Sequence, residues 1–443
     1  LRHLEQAALD DRMGVTRTSV LIVGGGGREH ALAWAVKRDR GDVDVICAPG
    51  NAGTAMLGEN VTLDATDAAG VAQLARERAV DLVVIGPDAA AAAGVADACA
   101  SAGIAVFGPT AAAARIESSK SFAKTLMGEA GIPTARWVSG GAHELERLRG
   151  FAHDLGGRCV VKADGLALGK GVTICGSEQE ADDALDDRLR RGRFGEAGSA
   201  VVIEERLPGR ELSVLGLTDG ERVRVLVPSR DHKRAFDDDR GPNTGGMGAI
   251  APPADVDACR IADEAMETVL QPCVDALRTR GTPFVGCLYA GLMLTRDGIR
   301  VLEFNARFGD PEGQATLPLL DESLIDLLQA CARSALQPGV ARSRQAVAVA
   351  VVAAAKGYPG TARPGDVIAG LDALDDDVLC FHAGTTHDGE GRIRTSGGRV
   401  LSIVGLGSDA DAARASAYTN LERVKFDGMW FRRDIGAPAE VAV

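Results

Sequence analysis

The chain has 443 residues, of which 46% are hydrophobic and 25% are charged. This balance is typical of globular proteins and excludes disordered and fibrous classes, and at roughly 150 residues per domain the length predicts about three domains. With 49 basic and 62 acidic residues the net charge is −13, which disfavours a protein that coats nucleic acid. A phosphate-binding site in such an acidic chain must be formed by basic residues that lie close together.

The cysteines and apolar stretches predict a cytoplasmic protein with no membrane partner. The nine cysteines are odd in number, widely spaced and without a C-x-x-C pair, so neither a zinc ribbon nor a disulfide framework is indicated. The longest apolar stretch, residues 346–355, is about half of a membrane span. The first 19 residues have no apolar signal core. Met13 is a candidate for the biological start, and we treat residues 1–18 as an N-terminal extension.

The first predicted strand, residues 20–23, leads into four consecutive glycines, 24–27, and then a helix-like stretch, 28–37. Further strands alternate with Ala-rich helices. This alternation predicts a doubly wound parallel sheet over residues 19–119. The other strands predicted in this part are 43–47, 81–85 and 104–107.

The four-glycine loop can present backbone N–H groups and a helix dipole to a phosphate. It does not fit the dinucleotide fingerprint, because Glu29 occupies the position of the last glycine and no acid ends the second strand, where Cys47 and Ala48 stand. NAD is therefore disfavoured. A plain tight turn remains the alternative.

After residue 137 the pattern changes to a small α+β unit, followed by a strand-rich region. Asp297-Gly298 separates two strands and predicts a hairpin turn. Residues 345–443 have strands and turns of their own and are treated as a last domain. The predicted elements are strands 158–162, 172–175 and 200–204, helix 178–191, strands 212–217 and 223–228, a long Gly-rich loop 237–248, and hairpin strands 288–295 and 298–304.

A Gly-rich loop carries Lys170 between Gly169 and Gly171, just after Lys162 at a strand end. It is not a Walker A loop, since Gly171 stands where Ser or Thr belongs. A loop over a nucleoside triphosphate, with lysines on phosphate oxygens, fits better; a solvated loop is the alternative. Only eight of the 49 basic residues are lysines, and five lie in or beside such segments: Lys120, Lys124, Lys162, Lys170 and Lys233.

Glu303 and Asn305 alternate onto one side of a predicted strand. Two oxygen ligands, completed by water and phosphate oxygens, are what Mg²⁺ requires. Arg307 follows on the same face and could meet an anionic intermediate with its fork of donors. The alternative is an ordinary salt bridge between Glu303 and Arg307.

A segment that begins at Asp231 and ends at Gly248 contains glycine and asparagine that allow close approach to a small ligand. For His232 and Met247 within it, packing or positioning is favoured over direct chemistry.

Together these motifs resemble the ATP-grasp superfamily of carboxylate–amine ligases and, more specifically, the phosphoribosylamine–glycine ligase family. The resemblance spans about residues 19–436, and the GPNTGGMG run is its most specific part. The runs that carry it are GGGREHA at 25–31, PGNAGT at 49–54, KADGLA at 162–167, DHKR at 231–234, GPNTGGMG at 241–248, RFGDPE at 307–312, FHAGT at 381–385, TSGGRV at 395–400 and RDIG at 433–436.

The resemblance implies an α/β ATP-grasp ligase in four units. These are an N-terminal doubly wound parallel-sheet domain (19–119), a central ATP-grasp domain (120–136 and 206–343), a small lid domain (137–205) and a C-terminal α+β domain (344–443).

It also implies a reaction. ATP, glycine and 5-phosphoribosylamine give glycinamide ribonucleotide, ADP and phosphate through glycyl phosphate, in de novo purine (IMP) biosynthesis. ATP is then a substrate, Mg²⁺ or Mn²⁺ the metal, and the enzyme a monofunctional monomer or weak homodimer without nucleic-acid partners. The alternatives are another ATP-grasp carboxylate–amine ligase and a non-catalytic ATP-binding regulatory protein.

The resemblance also implies roles for individual residues. Triphosphate binding is expected from Lys120, Lys162, Gly169, Lys170 and Gly171, the adenine pocket from Glu204 and Glu205, and ribose binding from Glu211. Metal binding is expected from Glu303 and Asn305, and catalysis from Lys162, Arg307 and Asp231. The ribose phosphate is expected at Gly26, Gly27, Asn51, Gly86 and Asp88. Asp231 and Asp239 are expected to grip an amino group, and further substrate contacts are expected from Lys233, Asn243, Thr244, Gly245, Gly246, Met247 and Asp310.

The chain departs from the family pattern at two places. Gly-Pro-Glu-x-Pro-Leu is usual where this chain has GPDAAA at 86–91, so Asp88 is one methylene shorter and a proline is missing. Arg210 stands before Glu211 where an acid is usual.

Overall fold

The computed structural model describes residues 17–165 and 171–437. Within these ranges the chain folds as an α/β protein with three five-stranded sheets, one four-stranded sheet and two short two-stranded sheets. This is the predicted fold class. None of the helices in the described ranges has the length and apolar character needed to cross a membrane.

The N-terminal unit is a parallel five-stranded sheet with the strand order β3-β2-β1-β4-β5. Residues 20–23 in β1 have no exposed surface, as expected for a parallel sheet with helices on both faces. The predicted doubly wound sheet is thus confirmed. Its strands are β1 Thr18–Gly24, β2 Val43–Pro49, β3 Glu59–Asn60, β4 Leu82–Ile85 and β5 Val106–Phe107, and its helices are α1 Gly27–Asp39, α2 Ala68–Glu77, α3 Asp88–Ala92, α4 Val95–Ser101 and α5 Ala111–Ser118.

The next unit is a four-stranded antiparallel sheet with the order β6-β9-β7-β8. Helix α6, Lys120–Glu129, precedes it and begins at the cap Ser119, whose side chain accepts from the Phe122 N–H. Its strands are β6 Trp137–Gly141, β7 Cys159–Ala163, β8 Val172–Ile174 and β9 Ala200–Glu205, and its helices are α7 Leu145–Asp154 and α8 Glu178–Leu189.

The central sheet has the order β17-β16-β10-β11-β18. The predicted hairpin is confirmed, since Thr295 pairs with Gly298 across the turn between β16 and β17. The strands are β10 Arg210–Asp219, β11 Val223–Val225, β16 Val285–Thr295, β17 Gly298–Asn305 and β18 Gly339–Val340, and the helices of this region are α9 Ala258–Ala265, α10 Gln271–Thr279, α11 Glu312–Thr316 and α12 Leu324–Ala332.

One apolar core joins the central sheet to the N-terminal sheet. Leu21 and Val23 from β1 lie in the same buried cluster as Val214 from β10 and Leu288 from β16. Buried packing of this kind fixes the two units relative to each other. The ends of β1 and β17 are therefore held at a defined separation.

The last sheet crosses the predicted domain boundary at residue 344. Its order is β12-β15-β19-β23-β20, and its first two strands come from residues before that boundary. Strand β19 is apolar and buried over nearly its whole length, so it needs a hydrogen-bonded partner on each side, and β15 supplies one. The elements are β12 Arg230–Asp231, β15 Gly248–Ala251, β19 Val347–Ala354, β20 Leu379–His382, β23 Arg399–Gly407, the hairpin β21 Thr385–His387 and β22 Ile393–Thr395, and helix α13 Ala410–Leu421.

The prediction of a long loop over residues 237–248 was wrong, because part of it forms a hairpin. Strand β13, Arg234–Phe236, pairs with β14, Arg240–Asn243. The turn places Asp238 and Asp239 in the left-handed region, with φ of 59° and 50°. Aspartate tolerates this conformation better than most residues. The many glycines of this segment predicted a loop and did not indicate this turn.

Arg432 fastens this hairpin to the C-terminal segment. Its guanidinium is 1% exposed and donates to the Asp239 carboxylate (2.8 Å), the Arg234 carbonyl (3.0 Å) and the Asp434 carboxylate (2.6 Å). Asp239, which was expected to grip an amino group, therefore has an arginine as its partner in this structure.

We expect Arg432→Met to destabilise the protein by about 2 kcal/mol, because it removes a buried guanidinium and leaves the Arg234 carbonyl and the partly buried Asp434 carboxylate without their donor. The matched control is Arg423→Met, because this arginine is itself about one-third exposed and its partner Asp375 is half exposed; its cost should be clearly smaller. Thermal and urea unfolding of both variants measure this, and equal costs would contradict the assigned role of Arg432.

Candidate active site

Strand β17 ends in the two predicted oxygen ligands. Glu303 and Asn305 lie on one face of the strand, while Phe304 between them is buried. A bulge interrupts the pairing with β16 next to Gly291, which stands opposite Glu303. The Glu303 carboxylate is about one-third exposed, so it is open to a ligand.

Three lysines surround the Glu303 carboxylate. The Lys233 ammonium lies 3.4 Å from Oε1 and 3.5 Å from the Glu211 carboxylate. Desolvation raises the pKa of Glu303, but Lys233, Lys162 and Lys120 outweigh it and lower the pKa to about 2. Glu303 is therefore an ionised carboxylate at neutral pH, in a net positive surrounding.

Lys162 and Lys120 lie close to the point where the Gly-rich loop begins. Lys162 lies near the end of β7, is nearly buried and donates to the Leu302 carbonyl (3.0 Å). Lys120 begins α6 and donates to the Gly165 carbonyl (3.3 Å); desolvation lowers its pKa. The predicted phosphate ligands Gly169 and Lys170 lie outside the described residues. At the loop's other end the Gly171 carbonyl accepts from the Ala163 N–H (2.8 Å).

The carboxylate of Glu204 points at lysines rather than at an adenine pocket. Its two oxygens lie 2.6 Å from the Lys162 ammonium and 2.7 Å from that of Lys124. Glu204 is 2% exposed, so this carboxylate is not available to a base. The place of Glu204 in the adenine pocket stays a prediction. Lys124 is one of the motif lysines, and the resemblance implies no role for it.

The two remaining acidic residues predicted on the adenosine side differ in exposure, with Glu205 about one-quarter exposed. Glu205 accepts from the Arg136 Nε (2.7 Å), and Glu211 is half exposed beside Lys233. Arg210, the departure from the family pattern, pairs with Asp255 at 2.7 Å. This partner explains how the chain accommodates a cation at that position.

Arg307 pairs with Glu117 and not with Glu303, which removes the simple strand-end salt bridge as an explanation. Its Nη2 lies 3.2 Å from Glu117 Oε1 and donates to Asn305 Oδ1 at 3.3 Å. Glu117 also accepts from the Ala306 N–H (2.7 Å). Glu117, at the end of α5, was not predicted, because nothing in its local sequence links it to a residue 190 positions later.

Asp231 has a pKa near neutrality. Burial is the main cause and raises the pKa to about 7, against the lowering effect of Lys233. Its carboxylate lies 3.5 Å from the Ser213 hydroxyl, which is 2.8 Å from the Tyr289 hydroxyl. At neutral pH this carboxyl can either hold or accept a proton.

The four-glycine loop already holds a carboxylate of this chain. Glu29 accepts from the Gly26 N–H (2.6 Å) and from the Arg28 Nε (2.6 Å). A Cβ at Gly86 would lie 2.1 Å from Glu29 Oε1 and 2.6 Å from the Val23 carbonyl oxygen of the backbone, so glycine is required there. The Gly26 N–H is therefore used internally, and a ribose phosphate would have to rely on Gly27 and the start of α3 at Asp88.

Asn51 also differs from its expected role. Its side-chain N–H₂ donates to the carbonyls of His382 (2.7 Å) and Gly25 (3.0 Å), and its Oδ1 accepts from the N–H groups of Gly53 and Thr54. All of its hydrogen-bonding capacity is used inside the protein. Asn51 joins the N-terminal loops to the C-terminal sheet instead of offering a free amide to phosphate.

The loop 244–247 is held from both sides. The Thr244 hydroxyl donates to the Lys233 carbonyl (2.9 Å) and accepts from the Gly246 N–H (2.9 Å). Gly246 has φ +106°, and a Cβ there would lie 2.4 Å from Pro311 Cδ. Met247 has no exposed surface, which agrees with a packing role and not with substrate contact.

Arg399 of the C-terminal sheet connects this loop to Asp310. It donates to the Gly245 carbonyl (2.6 Å) and the Asp310 carbonyl (2.8 Å), and lies 3.1 Å from the Asp310 carboxylate. Asn243, which was also predicted to contact substrate, lies in β14 opposite Arg234. Arg399 was not predicted as a site residue, although its TSGGRV run was among the motifs.

The oxygen ligands fit a divalent cation whose other ligands come from outside the protein. Residues 17–165 and 171–437 contain no group of three or more His, Cys, Asp or Glu side chains suited to hold a metal. Glu303 supplies an ionised carboxylate, and Asn305 supplies an amide oxygen that also accepts from Arg307 at 3.3 Å. Mg²⁺ is commonly bound by one or two carboxylates together with water and substrate phosphates, so this donor set fits the ion.

A parallel-sheet N-terminal unit, a small antiparallel unit and a Lys–Glu-x-Asn site together define an ATP-grasp ligase. The chain matches three family descriptions in succession: phosphoribosylglycinamide synthetase N domain over residues 18–117, ATP-grasp (A) domain over 118–313 and C domain over 348–438.

Named relatives agree with these matches. The phosphoribosylamine–glycine ligase of Nostoc sp. is 45% identical over 423 residues, covering 94% of this chain and 98% of the relative. That of Streptomyces coelicolor is 47% identical over 429 residues, with 95% and 99% covered. A crystal structure of the Thermotoga maritima ligase has a TM-score of 0.81 at 33% identity, covering 94% of this chain and all of that one.

A biotin carboxylase from Campylobacter jejuni, with a TM-score of 0.72 at 14% identity, shares the fold alone. The chain belongs to the phosphoribosylamine–glycine ligase family.

The pKa of Asp231 predicts a pH-dependent stability. Because the folded value is about 7 against an ordinary 3.8, the stability gained by the protonated carboxyl is fully present below about pH 4 and is lost as the pH rises through about 7. The melting temperature of the wild type should therefore fall between about pH 5 and pH 7 relative to that of Asp231→Asn.

The control is Asp255→Asn. Desolvation raises the pKa of Asp255, but its contacts with Arg230 outweigh this and lower the pKa, so the residue is ionised throughout the window. The curve of this variant should run parallel to the wild type. A parallel curve for Asp231→Asn as well would contradict the raised pKa.

Proposed function

We propose that this chain joins glycine to 5-phosphoribosylamine with ATP, giving glycinamide ribonucleotide, ADP and phosphate in de novo purine biosynthesis. The observation that carries the proposal is the ionised Glu303 carboxylate amid Lys120, Lys162 and Lys233. A metal-bound triphosphate carries both signs of charge, and this arrangement offers a ligand to its cation and lysines to its phosphates.

Glu303 and Asn305 would hold Mg²⁺ or Mn²⁺, which when bound neutralises charge on the phosphates during transfer. Lys120 and Lys162 would hold phosphate oxygens, with Gly169, Lys170 and Gly171 as the expected remainder of that site. Glu211 is half exposed beside this group and is our proposed ribose ligand.

A carboxylate is a poor acylating agent, so glycine must first be activated. In the first step a glycine carboxylate oxygen bonds to the γ-phosphorus while the bond to the β,γ-bridging oxygen breaks, and ADP leaves. Arg307 would direct its guanidinium at the transferring phosphoryl group. Glu117 and Asn305 hold the guanidinium in place, so the site need not reorganise when charge develops on the phosphoryl group.

In the second step the amine nitrogen of phosphoribosylamine bonds to the carbonyl carbon of glycyl phosphate. The carbon–oxygen bond to phosphate breaks and the nitrogen loses a proton. Asp231 would accept that proton, because its pKa of about 7 makes it a base at neutral pH without binding the proton irreversibly. Lys233, whose ammonium lies beside the Glu303 and Glu211 carboxylates, would attract the anionic groups of the substrates.

The substrate loop 244–247 and Asp310 would complete the amine site, held by Arg399. The partners are thus small molecules. Cytoplasmic location and a monomeric or weakly dimeric state stay predictions of the sequence.

The test is ADP release with Mg²⁺ and ATP, omitting glycine or phosphoribosylamine (formed in place from ribose 5-phosphate and ammonia) in turn. We expect sustained release only with both. Glu303→Ala should reduce it by about a hundredfold or more, because the metal loses its ionised ligand.

Glu129→Ala is the matched control, since this carboxylate is exposed and pairs with Arg280; it should retain activity within about twofold. Release supported only by other acceptors would move the assignment to another ATP-grasp ligase. ATP binding without turnover would instead favour a regulatory protein.

A further inference from the structure

Lys124 is a buried lysine for which the proposed reaction has no use. It lies one turn after Lys120 in α6, and its side chain is 2% exposed. Lysine is seldom buried unless its charge is compensated. In a chain that has 8 lysines among 49 basic residues, a fully buried one needs an explanation.

Its ammonium shares one carboxylate with Lys162. Lys124 lies 2.7 Å from Glu204 Oε2, and Lys162 lies 2.6 Å from Glu204 Oε1. The two lysines thus lie on the two oxygens of a single buried glutamate. We call Lys124, Glu204 and Lys162 the lysine–glutamate triad.

The triad ties together the elements that build the phosphate site. Lys124 also donates to the Thr134 hydroxyl (2.6 Å), which donates to the Val301 carbonyl in β17 (2.6 Å). Lys162 donates to the Leu302 carbonyl in the same strand (3.0 Å). Helix α6, strands β7 and β9, and the strand that carries Glu303 therefore meet at these side chains.

The charges of the triad do not cancel. Glu204 keeps its charge, because desolvation, which raises its pKa, is outweighed by Lys162 and Lys124, and the pKa falls below its usual value. Burial lowers the pKa of Lys124 to about 8, so it is mostly protonated at neutral pH. Two cations and one anion leave one net positive charge, and without Lys124 Glu204 would neutralise Lys162.

We propose that Lys124 is a positioning residue for ATP: by sharing the Glu204 carboxylate, it fixes Lys162 at the end of β7 and leaves the triad one positive charge for the phosphates. This inference rests on the proposed ATP site. Lys124 itself does not contact the nucleotide.

The test is a cycle of three variants, Lys124→Met, Glu204→Gln and the double variant. Counted as net charge, the triad is +1 in the wild type, 0 in Lys124→Met, +2 in Glu204→Gln and +1 again in the double variant. Binding of the non-hydrolysable analogue AMP-PNP with Mg²⁺ is measured by titration calorimetry, and KM for ATP and for glycine by ADP release.

We expect Lys124→Met to weaken nucleotide binding about tenfold and to raise KM for ATP while leaving KM for glycine nearly unchanged. The double variant should regain most of the lost affinity, because its charge count is restored. Lys37→Met is the control; this half-buried lysine donates to the Val43 carbonyl in the N-terminal unit and should bind the analogue like the wild type.

A purely structural role predicts otherwise. Equal loss in Lys124→Met and the double variant, or no loss in Lys124→Met, would overturn the proposal. If Lys124→Met does not fold, Lys124→Gln replaces it, since its amide can still hydrogen-bond to Glu204 and Thr134 without a charge. Failure of the wild type to bind the nucleotide would overturn the ATP site itself, whereas wild-type binding with unchanged variants overturns only the role of Lys124.

Discussion

The site depends on a concentration of positive charge around one carboxylate at the end of β17. Lys120, Lys162 and Lys233 hold Glu303 ionised, while the chain as a whole carries a net charge of −13. A triphosphate would be repelled by such a protein unless cations were gathered at one place. Lysine provides compact point charges for this purpose, whereas arginine serves elsewhere in the chain to join segments.

Arginine side chains join the N-terminal unit, the central region and the C-terminal sheet. Arg307 pairs with Glu117 of the N-terminal unit, Arg399 joins the C-terminal sheet to the loop 244–247, and Arg432 fastens the hairpin of β13 and β14. Planar guanidinium groups can reach several acceptors at once. Substrates that react with one another must bind at one place. These contacts fix the relative positions of the segments that would bind them.

Local sequence patterns predicted the features that depend on residues close to one another in the sequence. Alternation along one strand placed Glu303 and Asn305 on the same face, and Asp297-Gly298 predicted the hairpin. Contacts across long sequence separations could not be predicted in this way, as with Glu117 and Arg307, or Arg399 and Gly245. The internal partners of Asn51 and Gly26 were missed for a different reason, since a motif shows a residue type but not whether its hydrogen bonds are already used.

The most direct test of the account follows an oxygen atom. Glycine labelled with ¹⁸O in its carboxylate is converted with ATP and phosphoribosylamine, and the released phosphate is analysed by mass spectrometry. Activation as glycyl phosphate predicts that each phosphate released carries one ¹⁸O from glycine, because the acyl carbon–oxygen bond breaks in the second step. Unlabelled phosphate formed together with the amide product would contradict the proposed intermediate and the roles assigned around it.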